Sequence, residues 1–324
     1  MRKWMIGLCV TFMAAGLMAD VNLDWIPAGT QWLLEVDVQA AGAAKMTELF
    51  KDQRSTLAPA VQALAKLDSF KAATGIDVAH DIDSITVYGR AIGDQTGVAI
   101  IRGRWDAAKL YAFVAAMRDF TSLVYGDQTI LTWVDKQPVH LCLAASDLMV
   151  LSSNEGQLML ALDTIAGRQP GTTADAELGG FNKIANRPML RFLAVGVHAA
   201  PQVNAQAAVL KQTDTLQFSI AETPANGTVV LEVRLGMLND EAAGQVAQML
   251  EGMRAMAQMQ HVDKPALGAL VNAMKVTTEP MALKVRMPVG LELAKQLKAL
   301  MAPLPAAAAA AANADDAAAA PPQE

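Results

Sequence analysis

The sequence predicts an α+β protein built from antiparallel sheet with helices on one face. Two observations predict this class. Runs in which apolar and polar residues alternate, the pattern of a strand with one buried face, recur in pairs along the chain. Each pair precedes a stretch with apolar residues at the i, i+3, i+4 and i+7 spacing of an amphipathic helix. Strands and helices of this kind bury their apolar sides against each other, so the helices are expected on one side of the sheet.

A unit of two strands and a helix is predicted four times. In the first copy, strands around Ile85 and over residues 97–104 lead to a helix that begins near Asp106. In the second copy, residues 139–145 and 148–151 are the strands. Asn154 then caps a helix with one apolar side, formed by Leu158, Ala161, Leu162 and Ile165.

The third and fourth copies follow the same order. Residues 215–220 and 229–235 alternate on either side of Asn226-Gly227, a strong hairpin signal. The helix after them has an apolar side formed by Val246, Met249, Leu250 and Met253. In the fourth copy, strands over residues 275–279 and 283–287 precede a helix that carries Leu293, Leu297 and Leu300.

Two pairs of units predict two similar α+β domains, over residues 20–175 and 176–302, related by internal duplication. Each is opened by an additional strand and a helical stretch: residues 32–38 and 45–73 in the first, and 189–197 and 202–211 in the second. The Gly-, Pro- and Thr-rich segment 167–180 is the expected boundary. Hairpins followed by helices are common, so independent use of the motif is the alternative, but the doubled order of elements favours duplication.

The two ends of the chain indicate its compartment. Arg2 and Lys3 precede an apolar run, so residues 1–19 are interpreted as a secretory signal peptide cleaved after Ala19, with a retained anchor as the alternative. This predicts a periplasmic or secreted protein with no transmembrane segment in the mature chain. At the other end, the Ala- and Pro-rich residues 303–324 are expected to be a disordered tail.

Charge and cysteine content narrow the possible partners. Cleavage removes Arg2 and Lys3 and changes the formal net charge from -6 to -8, which argues against nucleic acid or an anionic lipid surface. A protein or a cell-envelope component is the expected partner. Cys9 leaves with the signal peptide, so Cys142 is the one cysteine of the mature chain and no intrachain disulfide is expected.

Few residues of the chain are candidates for catalysis or metal binding. No catalytic residue, cofactor or metal site is expected. His140 and Cys142 share one face of a predicted half-buried strand, about 7 Å apart at Cβ, which is too far for a direct hydrogen bond. A cysteine-dependent enzyme at Cys142 therefore remains only an alternative. Asp77, Asp81 and Asp83 suit turn and helix-end roles better than a cation site. A stacking platform is the alternative to core packing for Trp25, Trp32, Trp105 and Trp133.

The most specific alternative to a protein without a metal site is a Cu(I) site formed by Met253, Met256, Met259 and His261. Thioether and imidazole groups are soft ligands that suit Cu(I). Helical geometry weakens this reading, because at 100° per residue Met253 falls at the centre of the predicted core side of its helix. We therefore favour core packing of Met253 over a Cu(I) site.

Three patches carry a resemblance to a group of proteins. TGIDVAHDIDSITVYGR (residues 74–90), DWIPAGTQWLLEVDV (24–38) and ALDTIAGRQPGTTADAEL (161–178) resemble segments of uncharacterised secreted bacterial proteins. The resemblance implies a signal-bearing, duplicated α+β protein without recognised catalytic residues. Together with the composition, it leads us to expect a non-enzymatic extracytoplasmic binding or scaffold protein whose ligand the sequence does not name.

Overall fold

The computed structural model describes residues 21–45, 69–93, 96–172, 178–185, 188–200, 209–223, 225–260 and 265–301. The signal peptide and the C-terminal tail predicted above lie outside these residues. So do His261 and most of the two helical stretches predicted over 45–73 and 202–211. None of the helices that fall entirely within the described ranges has the length and apolar character needed to cross a bilayer.

The described residues form twelve strands in one sheet. In chain order they are β1 (Trp32–Asp37), β2 (Ile82–Gly89), β3 (Val98–Gly103), β4 (Thr121–Tyr125), β5 (Gln128–Asp135), β6 (Gln137–Ala145), β7 (Leu148–Ser152), β8 (Pro188–Val195), β9 (Thr213–Thr223), β10 (Thr228–Met237), β11 (Lys275–Glu279) and β12 (Ala282–Val289).

Seven α-helices lie entirely within the described residues: α1 (Val38–Ala43), α2 (Val78–Asp81), α3 (Ala107–Ala115), α4 (Glu155–Ile165), α5 (Asp240–Gln260), α6 (Pro265–Ala273) and α7 (Leu291–Met301). The predicted caps are present where they can be checked. Asp106 accepts hydrogen bonds from the first turn of α3, and Asn154 accepts one from Gln157 N of α4.

The strand order is β11-β12-β10-β9-β8-β1-β2-β3-β7-β6-β5-β4, and every pairing is antiparallel. The two predicted opening strands, β1 and β8, pair with each other, with Glu35 opposite Arg191. The strands of both predicted domains therefore belong to one continuous sheet.

In the half of the sheet formed by β1 to β7, the strands inside the exposed edge strand β4 have buried residues on both faces. Face A, which carries Ile100, Cys142 and Val150, packs against α4, and face B, which carries Ile101, Leu141 and Met149, packs against α3. The prediction that all helices lie on one face is therefore wrong for α4. Since β3 and β7 have no solvent-facing side, their sequences VAIIRG and LMVLS are almost continuously apolar.

The half formed by β8 to β12 is covered by helices on face B, where α5 and α7 pack. Its face A carries charged side chains instead. Glu232 pairs with Lys284 at 2.8 Å, and Arg234 pairs with Glu279 at 3.1 Å. The clean alternation of TVVLEVRLGM in β10 reflects this one-sided burial.

Two irregular segments cover face A at the junction of β1 and β8. Leu23 and Ile26 come from the N-terminal segment, and Leu178, Phe181 and Ile184 come from the segment that follows the predicted boundary. The N-terminal segment is also joined to the predicted boundary segment 167–180 by backbone hydrogen bonds from Ala28 N to Pro170 O and from Thr172 N to Ile26 O.

One hairpin was missed by the sequence analysis. Strands β4 and β5 pair across Gly126 and Asp127, with Tyr125 opposite Gln128. Gly126 has a φ of 62°, a conformation that glycine adopts without strain. The hairpin extends the sheet beyond β6 and leaves β4 at one edge, so the strand with His140 and Cys142 lies inside the sheet.

Candidate functional site

The most prominent exposed apolar feature of the described residues is a row of methionines along α5. Met249, Met253, Met256 and Met259 are 44%, 59%, 56% and 70% exposed. At 100° per residue these positions fall within about 120° of one another around the helix axis. We call these four residues the methionine stripe.

The first half of α5 holds the helix on the sheet. Ala242, Ala243 and Val246 are buried and Leu250 is partly buried, in contact with face B. Asn239 begins the helix by accepting a hydrogen bond from Ala242 N at 2.8 Å. The methionine stripe therefore stands on a helix whose position is fixed by these contacts.

Hydrogen bonds to α6 and to the residue that follows it hold the second half of α5. The Arg254 guanidinium donates to Met274 O at 3.2 Å, and the Gln258 amide donates to Asn272 Oδ1 at 2.6 Å. These contacts place Arg254 and Gln258 toward α6. The four methionines take no part in these hydrogen bonds and stay exposed.

The interpretation that Met253 is a core residue is wrong. Its side chain is more exposed than that of Met249, which the sequence also assigned to the core side. The residues of α5 that belong to the face B core lie between Ala242 and Leu250, and Met253 lies beyond them along the helix, so its angular position does not bury it. Of the four residues of the copper alternative, Met253, Met256 and Met259 lie on one exposed surface, and His261 lies outside the described residues.

His140 and Cys142 lie on face A beneath α4. Cys142 is completely buried, and its thiol faces Gln128 Oε1 at 3.6 Å. His140 Nδ1 is 2.9 Å from Thr132 Oγ1. The residues share a face, as predicted, but the strand is buried on both sides instead of one, so neither lies at an edge or on a second, exposed face.

The environment keeps both groups in their uncharged forms. Burial, with a smaller effect from the Asp127 carboxylate, raises the pKa of the Cys142 thiol to about 11. Burial lowers the pKa of His140. A thiolate nucleophile needs the opposite shift in the cysteine, so this pair lacks the activation that a cysteine-dependent enzyme requires.

We expect iodoacetamide to leave Cys142 of the native protein unmodified at pH 6 and to label it only as fast as the protein unfolds. The free energy of unfolding should fall as pH rises from about 9 toward 11, because the unfolded thiol ionises in this range while the folded thiol stays protonated. A Cys142→Ala variant is the control and should lack this component. Rapid stoichiometric labelling at pH 6 would contradict the structural role of this cysteine.

Two of the three aspartates near the start of β2, Asp77 and Asp81, have structural roles. Asp77 caps α2 and its carboxylate lies 2.6 Å from Lys71 Nζ, a contact that, with His80, holds the pKa of Asp77 below its usual value. The Asp81 carboxylate accepts a hydrogen bond from Asp77 N at 2.8 Å. The prediction of turn and helix-end roles is confirmed for Asp77 and Asp81. No group of three or more His, Cys, Asp or Glu side chains suited to a metal ion occurs within the described residues.

The four tryptophans named above do not form one platform. Trp25 packs against the face A core, with the Arg102 guanidinium 5.9 Å from its ring centre. Trp32, Trp105 and Trp133 pack against the face B core on the other side of the sheet. Core packing is therefore their main role.

Sequence reasoning missed a buried ion pair at the junction of the two halves. Glu35 on β1 and Arg191 on β8 are 2% and 1% exposed, and Arg191 Nε donates to Glu35 Oε2 at 2.5 Å. The Arg191 guanidinium also lies 4.7 Å from the ring centre of Phe181. One charged residue inside each of the apolar strands WLLEVD and PMLRFLAV was the signal that could have revealed this pair.

A cavity next to this ion pair is too small for an organic ligand. It is lined by Glu35, Thr86, Ile100 and Arg102, among others, and has a volume of about 20 Å³. A volume of this size holds about one water molecule. We therefore place the candidate site at the methionine stripe and not at the buried polar pair.

Comparisons with known proteins add little to this geometry. No protein-family model and no curated protein matches the chain. Solved structures of TP0453 are similar in part: crystal form III has a TM-score of 0.45 at 9% identity, covering 89% of this chain and 99% of that chain. Crystal form IV has a TM-score of 0.47 at 9% identity, covering 87% and 97%. At these TM-scores the similarity carries no argument about what the chain does.

Proposed function

We propose that this chain is a non-enzymatic extracytoplasmic binding or scaffold protein and that the methionine stripe of α5 is its contact surface for a partner protein. The single observation that carries the proposal is the exposure of four large apolar side chains on one side of one helix. Contiguous apolar surface on a soluble protein is costly to leave in water and usually marks an interaction site.

The composition of the stripe suits a contact surface. Methionine is enriched at protein interfaces, and its flexible thioether side chain adapts to different partner shapes. Glu251 and Arg254 pair with each other at 2.7 Å beside the stripe, so this ion pair places no unbalanced charge at its edge. A partner could therefore cover the methionines without burying an unpaired charge from this pair.

The proposed compartment rests on the sequence of residues 1–19, which predicts cleavage after Ala19 and export to the periplasm or beyond. The resemblance to secreted bacterial proteins supports the same compartment. In that environment the thiol of Cys142 has no second cysteine to pair with in the mature chain, and its burial protects it from oxidation.

We also infer that the two predicted domains are copies of one unit. The order β1-β2-β3-β7-β6 in one half parallels β8-β9-β10-β12-β11 in the other. In each half a helix follows the third strand in chain order, and another follows the last. The hairpin of β4 and β5 is then an insertion in the first copy, and the antiparallel β1–β8 pairing relates the copies by an approximate twofold axis.

Photo-crosslinking in intact producing cells tests the contact surface. A benzoylphenylalanine side chain at Gly252, where an added Cβ meets nothing within 4 Å, would stand beside the stripe. Tyr111, an exposed aromatic residue on α3, is the matched control position. We expect a discrete adduct from position 252 and none from 111, and we expect the adduct to disappear when Met253 and Met256 are both replaced by Asp.

An equal yield of adducts at the two positions would contradict the proposal. So would an adduct at 252 that persists with both aspartates, since two charges in the centre of an apolar contact should abolish it.

A further inference from the structure

The exposed apolar side chains on α5 also share one chemical group. Every large apolar residue exposed on this helix is methionine; no leucine, isoleucine or phenylalanine shares the surface. Leucine forms helices about as well as methionine and buries a similar area, so an apolar contact alone does not select sulfur at four positions. The selection points to the thioether group itself.

We propose that the methionine stripe binds Cu(I) through its thioether sulfurs, with Met249, Met253 and Met256 as the ligands that meet at one ion. This inference rests on the proposed function in that it assigns a ligand to the same surface. Thioether sulfur is a soft donor, and soft donors select Cu(I) over the harder divalent ions.

The spacing along the helix supports a shared ion. Met253 is four residues from Met249 and three from Met256, and residues three or four apart on a helix have Cβ atoms about 5–6 Å apart. Met253 is thus the neighbour of both other ligands. Three rotatable bonds allow the three sulfurs to converge on one ion above Met253, with Met259 a further donor on the C-terminal side.

The rest of the protein does not compete for the ion. The Cys142 thiol is the strongest soft ligand in the described chain, but it is fully buried beneath α4 and protonated. Thioethers carry no proton, so binding requires no deprotonation and should be nearly independent of pH between 5 and 8, unlike binding through thiolates or imidazoles. The ion binds as Cu(I), without a redox step.

Competition with bathocuproine disulfonate under anaerobic conditions tests the site in the full mature protein. We expect the protein to withdraw one Cu(I) per chain from the coloured chelate, at pH 5.5 and pH 7.5 alike. Met253→Leu should weaken Cu(I) binding by about tenfold or more, because it removes the central donor and leaves the helix surface apolar. Met281→Leu is the matched control, since Met281 is 52% exposed in the turn between β11 and β12, away from the stripe.

The outcomes separate this inference from the proposed function. Failure of the wild-type protein to withdraw Cu(I), or equal binding by wild type and Met253→Leu, overturns the copper site. Leucine preserves the apolar surface, so the crosslink from position 252 should survive Met253→Leu. A missing crosslink with intact, Met253-dependent Cu(I) binding supports the copper site and overturns the protein contact.

Discussion

Replacing Arg191 by Met will lower the free energy of unfolding by about 3–5 kcal/mol, because it removes the guanidinium that pairs with the buried Glu35 carboxylate. Both side chains are almost inaccessible to water at the β1–β8 junction. The variant should therefore be destabilised throughout the sheet. Urea unfolding followed by tryptophan fluorescence measures the change, because Trp32 lies on β1 itself.

The double variant Glu35→Met/Arg191→Met is the control for this prediction. Two methionines fill a similar volume without a buried charge, so the double variant should recover most of the lost stability and could exceed the wild type. A loss below about 1 kcal/mol in Arg191→Met would show that water reaches Glu35 and that the junction is open.

Replacing Phe181 by Ala will cost about 3–5 kcal/mol, because it removes a fully buried ring from the face A core. Phe181 belongs to the segment that covers the junction of the two halves, and its ring faces the Arg191 guanidinium at 4.7 Å. The substitution removes this contact as well as creating a cavity. Its effect should reach both halves, since the segment lies over β1 and β8 together.

Phe181→Leu is the control, because it keeps most of the buried volume and loses the ring face. We expect it to cost clearly less than Phe181→Ala. Hydrogen exchange provides the second readout: amides of β2 and β9, on either side of the junction, should lose protection together in Phe181→Ala. Loss of protection in only one of these strands would argue that the halves open independently.

The strands and helices with one-sided burial were predictable from the sequence. β9 and β10 flank the expected Asn226-Gly227 turn, and Gly227 has the positive φ that such a turn requires. Their alternation is clear because face A is polar in this half. The turn residues and the alternation of apolar and polar residues both predict a hairpin, so this hairpin could be predicted without knowledge of its tertiary contacts.

The burial of β6 was not predictable in the same way. Its alternation assigned His140 and Cys142 to the less buried side, yet α4 packs over Cys142. Cysteine behaves as a small apolar residue, and one polar histidine does not show that a face is solvated. The β4–β5 hairpin was predictable, because Gly126-Asp127 separates two runs in which apolar and polar residues alternate.

The sequence groups Met253, Met256 and Met259, but its prediction that Met253 packs in the core is wrong. Hydropathy around α5 treats methionine as a core residue, and the sequence of one helix cannot show that α6 lies beside it. The residues of α5 in the face B core lie between Ala242 and Leu250, and Met253 lies beyond them. The Glu35–Arg191 pair is a similar case, since its partners are 156 positions apart and meet only in the continuous sheet.

The most direct test asks whether the methionine stripe is needed for binding but not for folding. A variant with Met249, Met253, Met256 and Met259 all replaced by Gln keeps a similar helix propensity and side-chain length. We predict a free energy of unfolding within about 1 kcal/mol of wild type, together with loss of the crosslink from position 252. A loss of stability above about 3 kcal/mol would contradict the account, because the methionines would then be packing within the protein's own fold.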